Sequence, residues 1–268
     1  MEWPEAREAL RAPIFAPLHG AIARLPADRW PTHEELSAAA EGIATASGRP
    51  LRFVAPRDEA PEARVHYESR IDATGEVATR PRDWHDLFNA LAWIAFPQAK
   101  ARINAQHAAI LGERGEAEAM RRGPERDALT LFDEGGVAIA SRSPALLKLV
   151  VEREWKALFW RRRAELEGAM RFVAFGHSLY EKALAPYAGI AAKTVFLPVD
   201  ELFFMLPAGA QVERVDAMLA AHFASRVRFA TPRAMPPLPA MGVPGWHPGT
   251  AHEAFYDDTA HFRPAAPG

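Results

Sequence analysis

The chain has 268 residues, 49% hydrophobic and 25% charged, so one large core or two small ones can form without a covalent staple. Basic residues (32) and acidic residues (34) nearly balance at a formal charge of -2, without the basic excess of a dedicated nucleic-acid binder. There is no cysteine, which excludes disulfides, thiolate catalysis and cysteine-ligated metal centres and fits a cytoplasmic protein. Met1-Glu2-Trp3-Pro4-Glu5 is not a basic leader before an apolar run, and no stretch of about 18 apolar residues occurs. Neither a signal peptide nor a membrane-spanning helix is expected.

Residues 1–50 read as an N-terminal arm cut into short pieces by Pro4, Pro13, Pro17, Pro26 and Pro31. Thr32 caps a helix that should run to residue 46, with Glu34 and Glu35 in its first turn. Residues 51–54 are a strand. Residues 64–71 alternate and are rich in β-formers, and Asp72-Ala73-Thr74-Gly75 turns them back into 76–80 as a first hairpin. Two helices follow, 83–96 and 98–111, divided by Pro97, and then a polar connection over 112–123. A second hairpin is expected from 128–132 and 137–140 around Asp133-Glu134-Gly135-Gly136. Ser143-Pro144 opens a long helical stretch to 185, with weak points at Gly168 and Gly176. Residues 194–199 form a strand and 212–224 a helix. From Thr231 onward, prolines, glycines and core-type aromatics predict an ordered tail wrapping the domain. The expected class is α+β: one domain over 51–268, a helical block packed with small antiparallel hairpins or sheet.

The chemistry concentrates on three helical segments. At about 100° per residue, Leu87, Phe88, Ala90, Leu91, Ala92, Ile94 and Ala95 fill more than half of one helix's circumference. His85, Asp86 and Asn89 share the remaining strip with Trp93 and Phe96. Two large aromatics rarely face water, so this helix is surrounded and its polar groups need internal partners. His107 falls among Ile103, Ile110 and Leu111, with Asn104 one turn earlier. His177 and Glu181 stand four apart on a face shared with Met170, Val173 and Leu184.

A lone histidine on an apolar face is ordinarily a hydrogen-bonded core residue; three, each with a carboxylate or amide one turn away, point to a shared acid–base site. The candidate site residues are His85, Asp86, Asn89, Asn104, His107, Asp127, His177 and Glu181. If a divalent metal is the cofactor, its ligands are expected from His85, His107, His177 and Glu181, although no His-x-x-x-His or His-Glu-x-x-His spacing demands it. Arg126-Asp127, Glu68 and Arg70 lie in β-rich stretches, as ion pairs or as an arginine orienting a polar ligand. Arg161-Arg162-Arg163 is flanked by Glu152, Glu154, Glu165 and Glu167, a solvated face and not a nucleic-acid surface. No Gly-rich phosphate loop or Gly-x-Ser-x-Gly elbow is present.

Two resemblances follow from these residues. His85-Asp86 resembles the metal-binding doublet of HD-type phosphohydrolases, whose further ligands have no counterpart in order here. Trp84-His85-Asp86-Leu87-Phe88-Asn89-Ala90-Leu91 with Phe96-Pro97, Lys100, Asn104 and His107 resembles a bacterial family known as a domain of unknown function (number three-zero-two-five). Arg126-Asp127-Ala128-Leu129-Thr130-Leu131-Phe132-Asp133-Glu134, Phe175-Gly176-His177-Ser178-Leu179-Tyr180-Glu181, Pro244-Gly245-Trp246 and Phe255-Tyr256-Asp257-Asp258 extend the likeness. It implies one family-wide unit and no particular activity. The functional expectation is a hydrolase-type enzyme on a small polar substrate, using buried histidines with Asn and Glu partners. The competing reading is a non-catalytic binding protein whose histidines only fix helix packing and whose tail makes the contacts.

Overall fold

A computed structural model describes residues 2–57, 66–115 and 121–265. The arm forms α1 (Trp3–Ala6) and α2 (His19–Ile22), linked by 3-10 turns in which Pro13 and Pro17 deny the amides a longer α-helix needs. Next comes α3 (His33–Ala39), where the Thr32 hydroxyl and the Glu35 carboxylate cap each other's amides. It stops short of residue 46, and Gly42 takes a left-handed φ of 83° in the turn that follows. Then follow β1 (Arg52–Val54), α4 (Tyr67–Thr74), β2 (Glu76–Ala78), α5 (Trp84–Ala95), α6 (Pro97–Arg114) and α7 (Pro124–Gly135). The second half runs β3 (Gly136–Ser141), α8 (Pro144–Val151), a π-helical turn at Ala157–Arg161, α9 (Arg163–Ala169), β4 (Met170–Ala174) and α10 (His177–Ala183). It ends with β5 (Ala191–Pro198), α11 (Glu201–Met205), α12 (Ala208–Phe223) and β6 (Pro237–Pro239).

Strands β1 and β2 pair in parallel, with Phe53 opposite Val77. The larger sheet has the order β4-β3-β5-β6, antiparallel at both outer pairs and parallel between β3 and β5. Helices outweigh these two small sheets, and the fold class is α+β. Among the described residues no helix is long and apolar enough to cross a membrane.

Three expectations need correction. The first hairpin is absent. Residues 58–65, which include the beginning of its first strand, lie outside the described residues, and from Tyr67 the chain is α4. Gly75 is that helix's left-handed cap at φ 75°, where a side chain would strike the Pro50 carbonyl. The second hairpin is also absent, because 124–135 is a helix whose buried face carries Ala128, Leu129 and Phe132 at helical spacing. The long stretch from Pro144 is broken: Met170–Ala174 pairs with β3, which outweighs its helix propensity.

Packing brings the ends of α5, α7 and α10 together. Helix α7 passes directly into β3, all of whose residues are buried, and Val137 pairs with Ala174 at the end of β4. The amides of Phe175 and Gly176 then donate to the Gly136 carbonyl at 2.9 and 3.0 Å. Gly176 lies so close to the Glu134 carbonyl that a Cβ there would collide with it, so glycine lets α10 begin against the end of α7. Behind them the arm supplies Phe15, stacked 5.8 Å from Phe88 of α5 and 5.9 Å from Tyr180 of α10. Burying Phe15 and Phe88 completely contributes about 1.5–3 kcal/mol each. Helix α6 starts at Pro97, and its next two amides donate to the buried Asp216 carboxylate of α12 at 3.1 and 2.7 Å. In the tail, Trp246, Tyr256 and Phe262 are buried in the same core, so those rings are packing and not an outward surface.

Candidate functional site

A cavity of about 360 Å3 lies between α4, α5, α6, α7 and the first residue of α10. It is at the small end of ligand sites, and polar groups dominate its wall. His85, His107 and His177 all border it, and His66 joins them.

The buried Lys100 of α6 ties the floor together. Its Nζ donates to Asp133 Oδ1 at 2.6 Å and to Asn89 Oδ1 at 2.9 Å, and stands 5.5 Å from the centre of the Trp93 ring. Asn89 Nδ2 in turn donates to the Tyr67 hydroxyl at 3.2 Å. An ammonium at 4% exposure needs such partners, because neither charge could be buried alone. Burial by itself would raise Asp133, but Lys100 and then His177 hold its carboxyl below the ordinary value.

A second cluster faces it. Glu68 lies in the first turn of α4, where Asn104 Nδ2 donates to its Oε2 at 2.7 Å and to its carbonyl at 2.9 Å. Burial, reinforced by the Asp133 charge, pushes the Glu68 carboxyl up to about 7. Asn104 Oδ1 is buried and meets no hydrogen-bond partner among the described residues, which leaves an acceptor for a ligand. Arg126, buried in the first turn of α7, donates from Nε to His107 Nδ1 at 3.3 Å and from a terminal nitrogen to His66 Nε2 at 2.9 Å. Burial pulls His107 down to about 3, so it is neutral, and the arginine on Nδ1 leaves the ring proton on Nε2. His66 is likewise lowered by burial and by Arg126.

The third cluster joins α5, α7 and α10. Nε2 of His85 lies 3.2 Å from Nε2 of His177, with the rings edge to face at 78°. The outer nitrogen of each ring faces a carboxylate: His85 Nδ1 is 3.1 Å from Glu181 Oε2, and His177 Nδ1 is 3.6 Å from Asp133 Oδ2. Burial lowers His177 to about 4. Ligand atoms of His85, Glu134 and His177 all lie within 4.8 Å of one another.

The sequence-derived candidates therefore separate. His85, Asn89, Asn104, His107 and His177 border one cavity, and Glu181 buttresses His85 from outside. Asp86 reaches the rim, but its carboxylate is occupied by the amide and guanidinium of Arg80 at 2.6–2.9 Å, which makes it a clip holding the chain entering α5. That is not the role the phosphohydrolase resemblance implied. Asp127 is outside the cavity, and its charge acts on Lys193 of β5. Of the suggested metal set, His107 is held by Arg126 instead, and Glu134 converges where Glu181 was expected.

Sequence reasoning missed His66 and Tyr67, and left Lys100, Arg126, Asp133 and Glu134 out of its site. Glu68 it placed on a strand. The overlooked signal was helical phase in 124–135, bounded by Gly-Pro and Gly-Gly, which sets Arg126 and Asp133 two turns apart on one side.

No curated protein and no solved structure matches the chain. Residues 51–266, the stretch beyond the arm, match the family model described as a protein of unknown function, DUF3025. The chain belongs to the DUF3025 family.

Proposed function

We propose that the protein is a hydrolase-type enzyme acting on a small polar substrate in this cavity. The observation that carries the reading is a carboxyl held near neutrality, Glu68, facing a neutral histidine and a buried arginine across one small polar chamber. A general base works best when its pKa is close to the working pH, and Glu68 meets that condition because burial and the Asp133 charge outweigh the pull of Asn104, Lys100 and Arg126 toward the ionised form.

The chemistry balances with these groups alone. The Glu68 carboxylate takes a proton from water as its oxygen bonds to the substrate's electrophilic centre. Arg126 and the Nε2–H of His107 donate to the oxygen on which negative charge develops. The bond to the leaving group then breaks, Glu68 returns the proton to that group, and the carboxylate is regenerated. Asn104 Oδ1 accepts from a substrate N–H or O–H and fixes its orientation.

A panel of small polar esters, amides and phosphate esters, followed against pH, tests the reading. Turnover of at least one class is expected, with a rate that rises through a limb near pH 7 as Glu68 loses its proton. Absence of turnover in all three classes, or a limb confined to pH 4–5, contradicts it.

A further inference from the structure

We propose that His85 Nε2, His177 Nε2 and the Glu134 carboxylate bind one divalent transition-metal cation at the wall of the cavity. The argument is one of tautomers. A carboxylate opposite a ring nitrogen draws the ring proton to that nitrogen, and both rings have their Nδ1 so placed, against Glu181 and Asp133. With both protons on Nδ1, the two Nε2 atoms present lone pairs to each other at 3.2 Å. Moving one proton inward makes a single N–H···N bond but sets an Nδ1 lone pair against a carboxylate. A cation coordinated by both Nε2 atoms removes the clash of lone pairs while leaving each Nδ1 proton toward a carboxylate.

The dimensions agree. Two nitrogens at about 2.0–2.1 Å from a tetrahedral zinc are separated by about 3.3–3.4 Å. The observed separation is that of a chelating pair. His177 Nδ1 is buried and, 3.6 Å from Asp133 Oδ2, makes no hydrogen bond among the described residues, so Asp133 acts on that ring through its charge. Helix α7 supplies both layers: Glu134 as third ligand and its neighbour Asp133 behind a ligand ring. Gly176, by admitting α10 against α7, makes that convergence possible. Two imidazoles and one carboxylate, with remaining positions toward the cavity, suit zinc, cobalt(II) or iron(II) and not calcium or magnesium. Such a cation would polarise a substrate oxygen or acidify a bound water.

The assignment goes beyond the acid–base reading, which centres on Glu68, and binding is read without turnover. The full chain, stripped with EDTA and dialysed, is titrated calorimetrically with zinc and cobalt(II), and the cobalt form is examined by visible absorption. One equivalent per chain is expected, with ligand-field bands of a four- or five-coordinate site. His85→Ala, at a half-exposed position, and Glu134→Gln should each weaken binding by about 100-fold or more, and Glu181→Gln by about 10-fold. A stripped chain that takes up neither cation overturns the proposal and leaves a shared proton between the rings. So does stoichiometric binding that neither His85→Ala nor Glu134→Gln weakens, because the cation then lies elsewhere. Stoichiometric binding retained in Glu68→Gln, whatever that variant does to turnover, separates the metal assignment from the acid–base reading.

Discussion

Lys100→Met should lower the stability of the folded chain by about 3–5 kcal/mol, the cost of leaving one member of a buried ion pair uncompensated. Methionine keeps the length and most of the volume of the lysine stem, so packing against Trp93 survives and the effect isolates charge. What remains is a largely buried Asp133 carboxylate without its ammonium, and an Asn89 carbonyl without its donor. For a chain of this size the melting temperature should fall by roughly 6–20 °C. Urea unfolding at pH 7 measures it. Adding Asp133→Asn to the first substitution should return much of the loss, because removing both charges is far cheaper than removing one. A loss under about 1 kcal/mol would mean that water reaches Asp133 freely and that the floor of the cavity is open to solvent.

Glu68→Gln should reduce turnover of whichever panel substrate is active by about 10²–10⁴-fold, the usual contribution of a positioned acid–base group. It should also stabilise the protein at alkaline pH. The folded carboxyl ionises at about 7 against an ordinary 4.5. Between those values the folded chain keeps a proton that the unfolded chain has released, so stability falls as pH rises through the window and stays reduced above it. Glutamine carries no charge and can still accept from Asn104, so it escapes that penalty. The variant should match the parent near pH 4–5 and exceed it at pH 8 by about 1 kcal/mol or more, about 2–4 °C in melting temperature. Lost turnover with gained stability marks a group kept for chemistry. Equal melting temperatures at pH 8 would place Glu68 in water and remove it as the base.

How much of this could be read from the chain depends on the length of the signal. Helices α5 and α6 were readable because twelve and eighteen residues repeat the helical period, Asp83 caps one and Pro97 divides them. Their phase correctly turned Trp93, Phe96 and His107 inward. Helix α7 was misread because Thr130-Leu131-Phe132 before Asp-Glu-Gly-Gly imitates a strand entering a hairpin turn, while its period is carried by few positions. Gly75 misled similarly: a residue at positive φ serves a hairpin turn and a helix cap alike. Strand β4 is five residues long and exists through its pairing with β3, which local propensity does not encode. The site divides along the same line. The inward turn of His107 follows from helical phase within one element, whereas His177 opens α10 and the face it was expected to share with Met170 and Val173 is divided by β4. The imidazoles' partners Lys100, Asp133 and Glu134 follow from the approach of α7 to α10 through Gly136 and Gly176, a tertiary fact without a short-range signature.

The most direct test of the central claim, that the fold holds Glu68 as an acid–base group beside neutral histidines, is a carbon-detected magnetic resonance titration of side-chain carboxyls, with Glu68→Gln to assign the signal. The Glu68 carboxyl carbon should titrate with a midpoint at about 7, apart from the other glutamates. A midpoint at the ordinary value of 4.5 would contradict the account.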